Sequence, residues 1–207
     1  MRRSYSHYRH EDIKALGIEI KSQKLFGRTD SIRPIPPSDF LLQSLAMNQQ
    51  LPLQSEKAKS ELLITPILNE VWARNKNEFT YFSGYQFNVD SKIGLKGFCD
   101  FIISRKYNAV FIESPVIAIV EAKHNQDLVD AVPQCVAEMY AAQLFNQRQG
   151  EAIDVIYGIV TTGYDWLFLR LVSNAVLVDT ERYFLKNLAE LLGIWQLIID
   201  ETRTGGA

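Results

Sequence analysis

The stretch Val116-Ile117-Ala118-Ile119-Val120 carries no polar side chain, and it ends abruptly on Glu121-Ala122-Lys123. A short, β-branched apolar run of this kind reads as a strand buried on both faces, with neighbours beside it and cover above and below. The surrounding pattern supplies such neighbours. Tyr81–Val89 and Gly97–Ser104 are rich in aromatic and β-branched residues, with Ser91–Lys96, containing Gly94, as the turn of a hairpin. Ile153–Val160, Trp166–Leu171 and a short Ala175–Val178 complete a set of strands.

Helical patterns fall between and around them. Ser38 caps a helix over 39–48, and Ser55 opens a longer one to about residue 75, which Pro66 should kink or split. A helix over 126–149 places Leu128, Val132, Met139 and Leu144 along one side, and a last helix spans about 184–199. The order αβββαββ predicts an α/β chain of the α+β type, a mixed sheet with helices packed against it. With 207 residues, 47% apolar and 22% charged, the composition suits one compact domain and excludes a disordered chain. The Pro-rich Arg33-Pro34-Ile35-Pro36-Pro37 suggests a boundary, so 1–37 reads as an N-terminal extension and 38–207 as a single domain.

Charge and cysteines narrow the functional classes. No stretch reaches the ~20 apolar residues of a membrane span, and no apolar run follows the basic N-terminus, so neither a membrane partner nor a signal peptide is expected. Cys99 and Cys135 are too few for a disulfide scaffold, which points to the reducing cytoplasm. Net charge is −2, but residues 1–33 carry eight Lys/Arg against four acids. That basic arm could touch phosphates; an exposed, solvated terminus is the plainer alternative. Phosphate-loop and dinucleotide-binding glycine motifs are absent from the sequence. The three histidines, His7, His10 and His124, lack paired metal-ligand spacing.

Three residues stand out against this background. Asp100 lies within the strand Gly97-Phe98-Cys99-Asp100-Phe101-Ile102-Ile103, where an unpaired buried carboxylate is costly. Taken singly it fits an edge strand facing water, or an ion pair with Lys96 or Arg105. Glu121 and Lys123 are two apart on a strand and so point to one face, while Ala122 points the other way. Together they suit one chemistry: carboxylates on adjacent strands hold Mg²⁺, and a nearby lysine serves the attacking water.

The pattern Asp100 … Glu121-Ala122-Lys123 resembles the PD-(D/E)xK nuclease superfamily, with Cys99 where the motif usually has proline. The resemblance implies a restriction-endonuclease-like fold with an αβββαβ core. It also implies a magnesium-dependent (or Mn²⁺-dependent) hydrolase of the endonuclease kind, acting on DNA. Asp100, Glu121, the Ala122 carbonyl and a helix acid would hold the metal. Glu61, near the helix centre, is placed first for that acid, ahead of Glu56 and Glu70. Ser55-Glu56 … Pro66-Ile67-Leu68, however, is similar to the helix opening the nuclease domain of type I restriction motor subunits, which favours Glu56. Gln134 matches a glutamine that often faces the active site from the following helix; the Gln-x-x-x-Tyr pattern itself is broken, since position 138 is Glu and the tyrosine is Tyr140. Gln134 and Glu138 share the helix side opposite the apolar stripe, so a polar surface role is the alternative. The segments 134–146 and 157–163 also look like a group of uncharacterised bacterial proteins that belong to the same superfamily. Cutting both strands of a duplex would suit a homodimer. The rival reading is a catalytically silent nucleic-acid- or protein-binding module that keeps the fold.

Overall fold

The structure, a computed structural model, describes residues 4–27, 32–124, 127–151 and 153–204. It is a mixed α/β protein whose described strands form one eight-stranded sheet. The strands are β1 (Glu19–Ser22), β2 (Thr80–Gln86), β3 (Phe98–Ser104), β4 (Val116–Ala122), β5 (Val155–Thr161), β6 (Asp165–Val172), β7 (Ala175–Val178) and β8 (Tyr183–Phe184). Their order is β1-β7-β6-β5-β4-β3-β2, with β8 paired to β6. β4 and β5 are parallel, as are β1 and β7, and the other pairs are antiparallel.

The apolar run does become a central strand: all seven residues of β4 are buried. Val120 and Ala122 face one layer, built from α2 (Asp39–Asn48), α4 (Thr65–Arg74) and α6 (Leu188–Thr204). Ile119 faces the other, where α5 (Val132–Arg148) lies with α1 (His10–Ala15). Alternation therefore turns Glu121 toward α5. Gly158 on β5 lets α5 come close, because a Cβ there would sit 2.3 Å from Met139 Sδ and 2.9 Å from Cys135 Sγ. The hairpin turn between β2 and β3 forms as expected and closes through Gly94 at φ +88°.

Pro66 divides the first long helix by a specific device. A four-residue α3 (Glu56–Lys59), capped by Ser55 accepting from the Ala58 N–H, passes into a π-helical turn over Ser60–Ile64. α4 then restarts with Pro66 in its first turn, and the Leu62 carbonyl, four residues back, accepts from Asn48 Nδ2 at 2.9 Å where Pro66 has no N–H to offer.

The boundary at residue 37 is not a structural one. β1 extends the sheet beside β7, and Tyr5, Tyr8, Ile13, Ile18 and Phe26 are all buried in the cores of the body. Tyr5 Oη donates to the Phe87 carbonyl at 2.7 Å and Tyr8 Oη to that of Ile93 at 2.6 Å, which fastens the segment over β2 and its hairpin. Nor is it a free basic arm: Lys21 pairs with Glu19 and Lys24 with Glu181. Arg2, Arg3 and Arg28 lie outside the described residues. Among the described residues no helix is long and apolar enough to cross a membrane.

Candidate active site

β3 and β4 part company at one end, and the charged residues gather there. Their antiparallel register runs through Phe101↔Val120, so one further step sets Asp100 across from Glu121. In place of another ladder bond, Asp100 Oδ2 accepts the Ala122 N–H at 2.7 Å. On the other flank of β4 the parallel register holds to its end: Ala122 pairs with Thr161, and the Lys123 N–H donates to the Thr161 carbonyl at 2.8 Å.

Glu121 is only 2% exposed. Lys123 Nζ donates to its Oε1, as does Gln134 Nε2 at 2.6 Å from the first turn of α5. Gln134 closes the triangle by accepting from Lys123 Nζ at 3.3 Å through Oε1. Its amide also reaches Glu138 Oε1, one helical turn on, at 3.1 Å. The other oxygen of each glutamate, Glu121 Oε2 and Glu138 Oε2, is buried without a hydrogen-bond partner.

The electrostatics follow from this crowding. Burial first, and the Asp100 carboxylate second, push Glu121 up to about 8 against the opposing pull of Lys123. Asp100 is raised by burial and by Glu56, with the Ala122 N–H working the other way. Glu138 is pushed well above the carboxylate range by burial and then by Glu121. Burial disfavours the charge on Lys123, but the Glu121 carboxylate outweighs it and holds the ammonium above the usual lysine range.

Of the three helix acids, Glu56 is the one whose charge bears on Asp100, Glu121 and Lys123. Glu61 stands one turn further along, exposed, at 2.5 Å from Lys57 Nζ. Both line a cleft of about 210 Å³ with Ser60, Ser83, Gly84 and Asp100. Glu70 is remote from it: its carboxylate accepts the Ser38 N–H and hydroxyl at 3.0 and 2.6 Å and pairs with Arg74, so it organises the start of α2. Both acids are exposed at this cleft, and it is the charge of Glu56 on the site that favours it over Glu61, the acid placed first from the sequence. Ala122, whose carbonyl the resemblance offers to the metal, also gives its N–H to Asp100.

Sequence reasoning missed Glu138. Its side chain is fully buried, although the sequence sets it opposite the apolar stripe of the helix. That side is closed by the N-terminal segment, whose Tyr5 and Tyr8 share a core with residues of α5. The i, i+4 spacing from Gln134 was the available signal. The helix itself starts at Val132, after a 3₁₀ turn over Leu128–Ala131 with Asp127 as its cap. Cys99 and Cys135 are free and buried; burial and Glu138 push both thiols up, which removes them as nucleophiles.

The donor chemistry fits a hard cation in one respect. Glu121 Oε2 is an unmet carboxylate oxygen beside Asp100. Among the described residues, however, no group of three or more His, Cys, Asp or Glu side chains could hold an ion unaided. A site of one or two carboxylates completed by water and a phosphate is the mode Mg²⁺ commonly adopts. No protein-family pattern and no curated protein sequence matches the chain.

Proposed function

We propose that the protein is a divalent-cation-dependent phosphodiesterase acting on DNA, built on a restriction-endonuclease-like core. The observation that carries the reading is the meeting of Asp100, Glu121 and Lys123 where β3 and β4 separate, with Gln134 fixing two of them from the next helix. A chance set of surface charges has no reason to converge on a strand end where one of them, Glu121, is 2% exposed.

Asp100 and Glu121 are the residues that would hold the cation, with Glu56 adding negative charge from α3. A bound Mg²⁺ or Mn²⁺ would neutralise a phosphate oxygen and acidify a water. Lys123, kept charged by Glu121, is placed to orient that water and to offset negative charge developing on the phosphate. Gln134 holds Glu121 and Lys123 in one orientation, and so acts as a positioning residue.

The test is incubation of the purified protein with supercoiled plasmid and with single-stranded circles under Mg²⁺, Mn²⁺ or EDTA. Cleavage is expected with either cation, and its loss with EDTA and in Asp100→Ala. Folded protein that binds either substrate but cuts neither under any condition would instead be the silent binding module.

A further inference from the structure

Lys59 ends the four-residue helix that carries Glu56, and it is only 6% exposed although it bears an ammonium group. Its Nζ donates to the His124 carbonyl at 2.5 Å, one residue beyond Lys123. The same Nζ lies 5.8 Å from the centre of the Tyr164 ring, in the turn that joins β5 to β6. One ammonium thus connects three pieces of chain around the candidate site: α3, the end of β4 and the β5–β6 turn. Burial pulls its pKa below the usual lysine range, with Asp165 working the other way. A methionine would fill similar space without that cost, so packing alone does not call for a lysine here.

Glu56 stands three residues before Lys59, so the two share one side of the helix. The side drawn onto the end of β4 is therefore the side that carries the helix acid. A helix of four residues holds its direction poorly by itself and depends on tertiary contacts. Ahead of it, Ser55 accepts the Ala58 N–H as a cap. Behind it, the π-helical turn comes close to the β5–β6 turn, where a Cβ on Gly163 would sit 2.9 Å from Leu63 Cβ. The Lys59 bond adds a tie to the chain leaving β4, the strand that carries Glu121 and leads into Lys123.

We propose that Lys59 is a positioning residue of this site: by gripping the backbone just past Lys123, it holds α3 so that Glu56 stays beside Asp100 and Glu121, the residues that would hold the cation. The inference rests on the phosphodiesterase reading for what that site does. Lys59 acts through Glu56 rather than on a phosphate, because its side chain is buried and its Nζ is turned to the His124 carbonyl. The charge of Glu56 bears on Asp100, Glu121 and Lys123 together, so a helix that swung away would weaken cation binding at the whole site.

The test is a double-mutant cycle of Lys59→Met and Glu56→Gln on the full chain. It is read by the rise in Tm that Mn²⁺ gives without DNA, and by plasmid cleavage over a Mn²⁺ titration. Lys59→Met should fold, and should need roughly tenfold more Mn²⁺ for half-maximal cleavage, the scale of losing a residue that orients a metal ligand. Its Mn²⁺-induced rise in Tm should shrink in step. In the Glu56→Gln background, Lys59→Met should add little further loss to either readout. Lys59→Arg, which keeps a cation and N–H donors on a long stem, should retain most of the parental Mn²⁺ response. Lys59→Gln, a neutral donor of shorter reach, repeats the cycle if the methionine variant melts early. Losses that add in full in the double variant overturn the inference. So does a lower metal-free Tm with the Mn²⁺ dependence unmoved, the result for a lysine that only supports the fold. If the parent gains Tm from Mn²⁺ but cuts no DNA, the nuclease reading fails, and the cycle in the melts still decides this one.

Discussion

Asp100 Oδ2 and the Ala122 N–H, 2.7 Å apart, join two strands at the point where their ladder gives out. The bond gives Asp100 two roles. It supplies a carboxylate beside Glu121, and it latches the end of β4, which carries both Glu121 and Lys123. A carboxylate accepting a backbone N–H is a charge-assisted bond, so it offsets part of the cost of burying Asp100. The same arrangement makes the neighbouring residues interdependent, and their variants should behave accordingly.

Lys123→Met keeps the aliphatic stem and removes the charge. Glu121 then loses the cation that opposes burial and Asp100, so its carboxyl stays protonated to still higher pH. The variant should fold. Its cleavage should drop by ~10²-fold or more at neutral pH, the scale of losing a positioned acid–base or electrostatic group. Its stabilisation by Mn²⁺ should also move to higher pH than in the parent. Plasmid cleavage and thermal melts across pH measure both effects. Parent-like cleavage would make Lys123 a bystander and remove the mechanism.

Glu56→Gln and Glu61→Gln separate the two helix acids. Both are exposed, but Glu56 bears electrostatically on Asp100, Glu121 and Lys123, whereas Glu61 is occupied by Lys57. Glu56→Gln should lower metal-dependent cleavage by roughly tenfold or more, with a weaker response to Mn²⁺. Glu61→Gln should cut at nearly the parental rate, because an exposed i, i+4 pair contributes little. Initial rates over a Mn²⁺ titration decide the matter, and the opposite ranking would return the role to Glu61.

The uneven legibility of this site in the sequence has a physical origin. β4 was readable residue by residue because an unbroken apolar run leaves a strand no exposed face, and Glu121 and Lys123 stood out as charges at its end. Asp100 was readable for the same reason, as a carboxylate in an otherwise apolar strand. Glu138 was not, since its burial depends on Tyr5 and Tyr8, more than a hundred residues away, folding over α5. The prolines at 34, 36 and 37 suggested a boundary, yet β1 needs only β7 as a partner, and that long-range parallel pairing leaves no local mark. The phase between Glu56 and Glu61 is set by the π-helical turn over Ser60–Ile64, a change that helical periodicity alone does not register.

Stability of the metal-free protein should fall as pH rises between 4.5 and about 8, the ordinary and folded values for Glu121. The sign follows from linkage: a carboxyl raised on folding binds its proton more tightly in the native state. Its contribution is complete below the lower value and is lost on passing the upper one. Asp100, also raised, acts in the same direction. A cation at the site requires the deprotonated carboxylate, so the rise in Tm given by Mn²⁺ should grow over the same window. Glu121→Gln should flatten both trends. Melts with and without Mn²⁺ at a series of pH values provide the check, and a pH-independent Mn²⁺ effect would speak against Glu121 as a ligand.

Glu138 offers the sharpest comparison, because its environment predicts a neutral side chain in a fully buried position. It has no exposed surface, its Oε2 has no hydrogen-bond partner, and burial together with Glu121 pushes its carboxyl well up. A carboxylate held there as an anion would face a desolvation cost that the single bond from Gln134 Nε2 could not offset. Glu138→Gln replaces one neutral, nearly isosteric group by another, and should change stability at neutral pH by less than ~1 kcal/mol. Glu138→Ala removes the same packing and leaves a void beneath Gln134, which should cost roughly 2–4 kcal/mol, the scale of large-to-small changes in a core. The loss should extend to the site, since Gln134 would be free to turn away from Glu121 and Lys123. Cleavage is accordingly expected to fall in Glu138→Ala and to persist in Glu138→Gln. Thermal melts and plasmid cleavage of both variants at pH 7 give the answer. Equal destabilisation of the two would mean that Glu138 is charged in the folded protein and that its carboxylate, rather than its shape, supports Gln134.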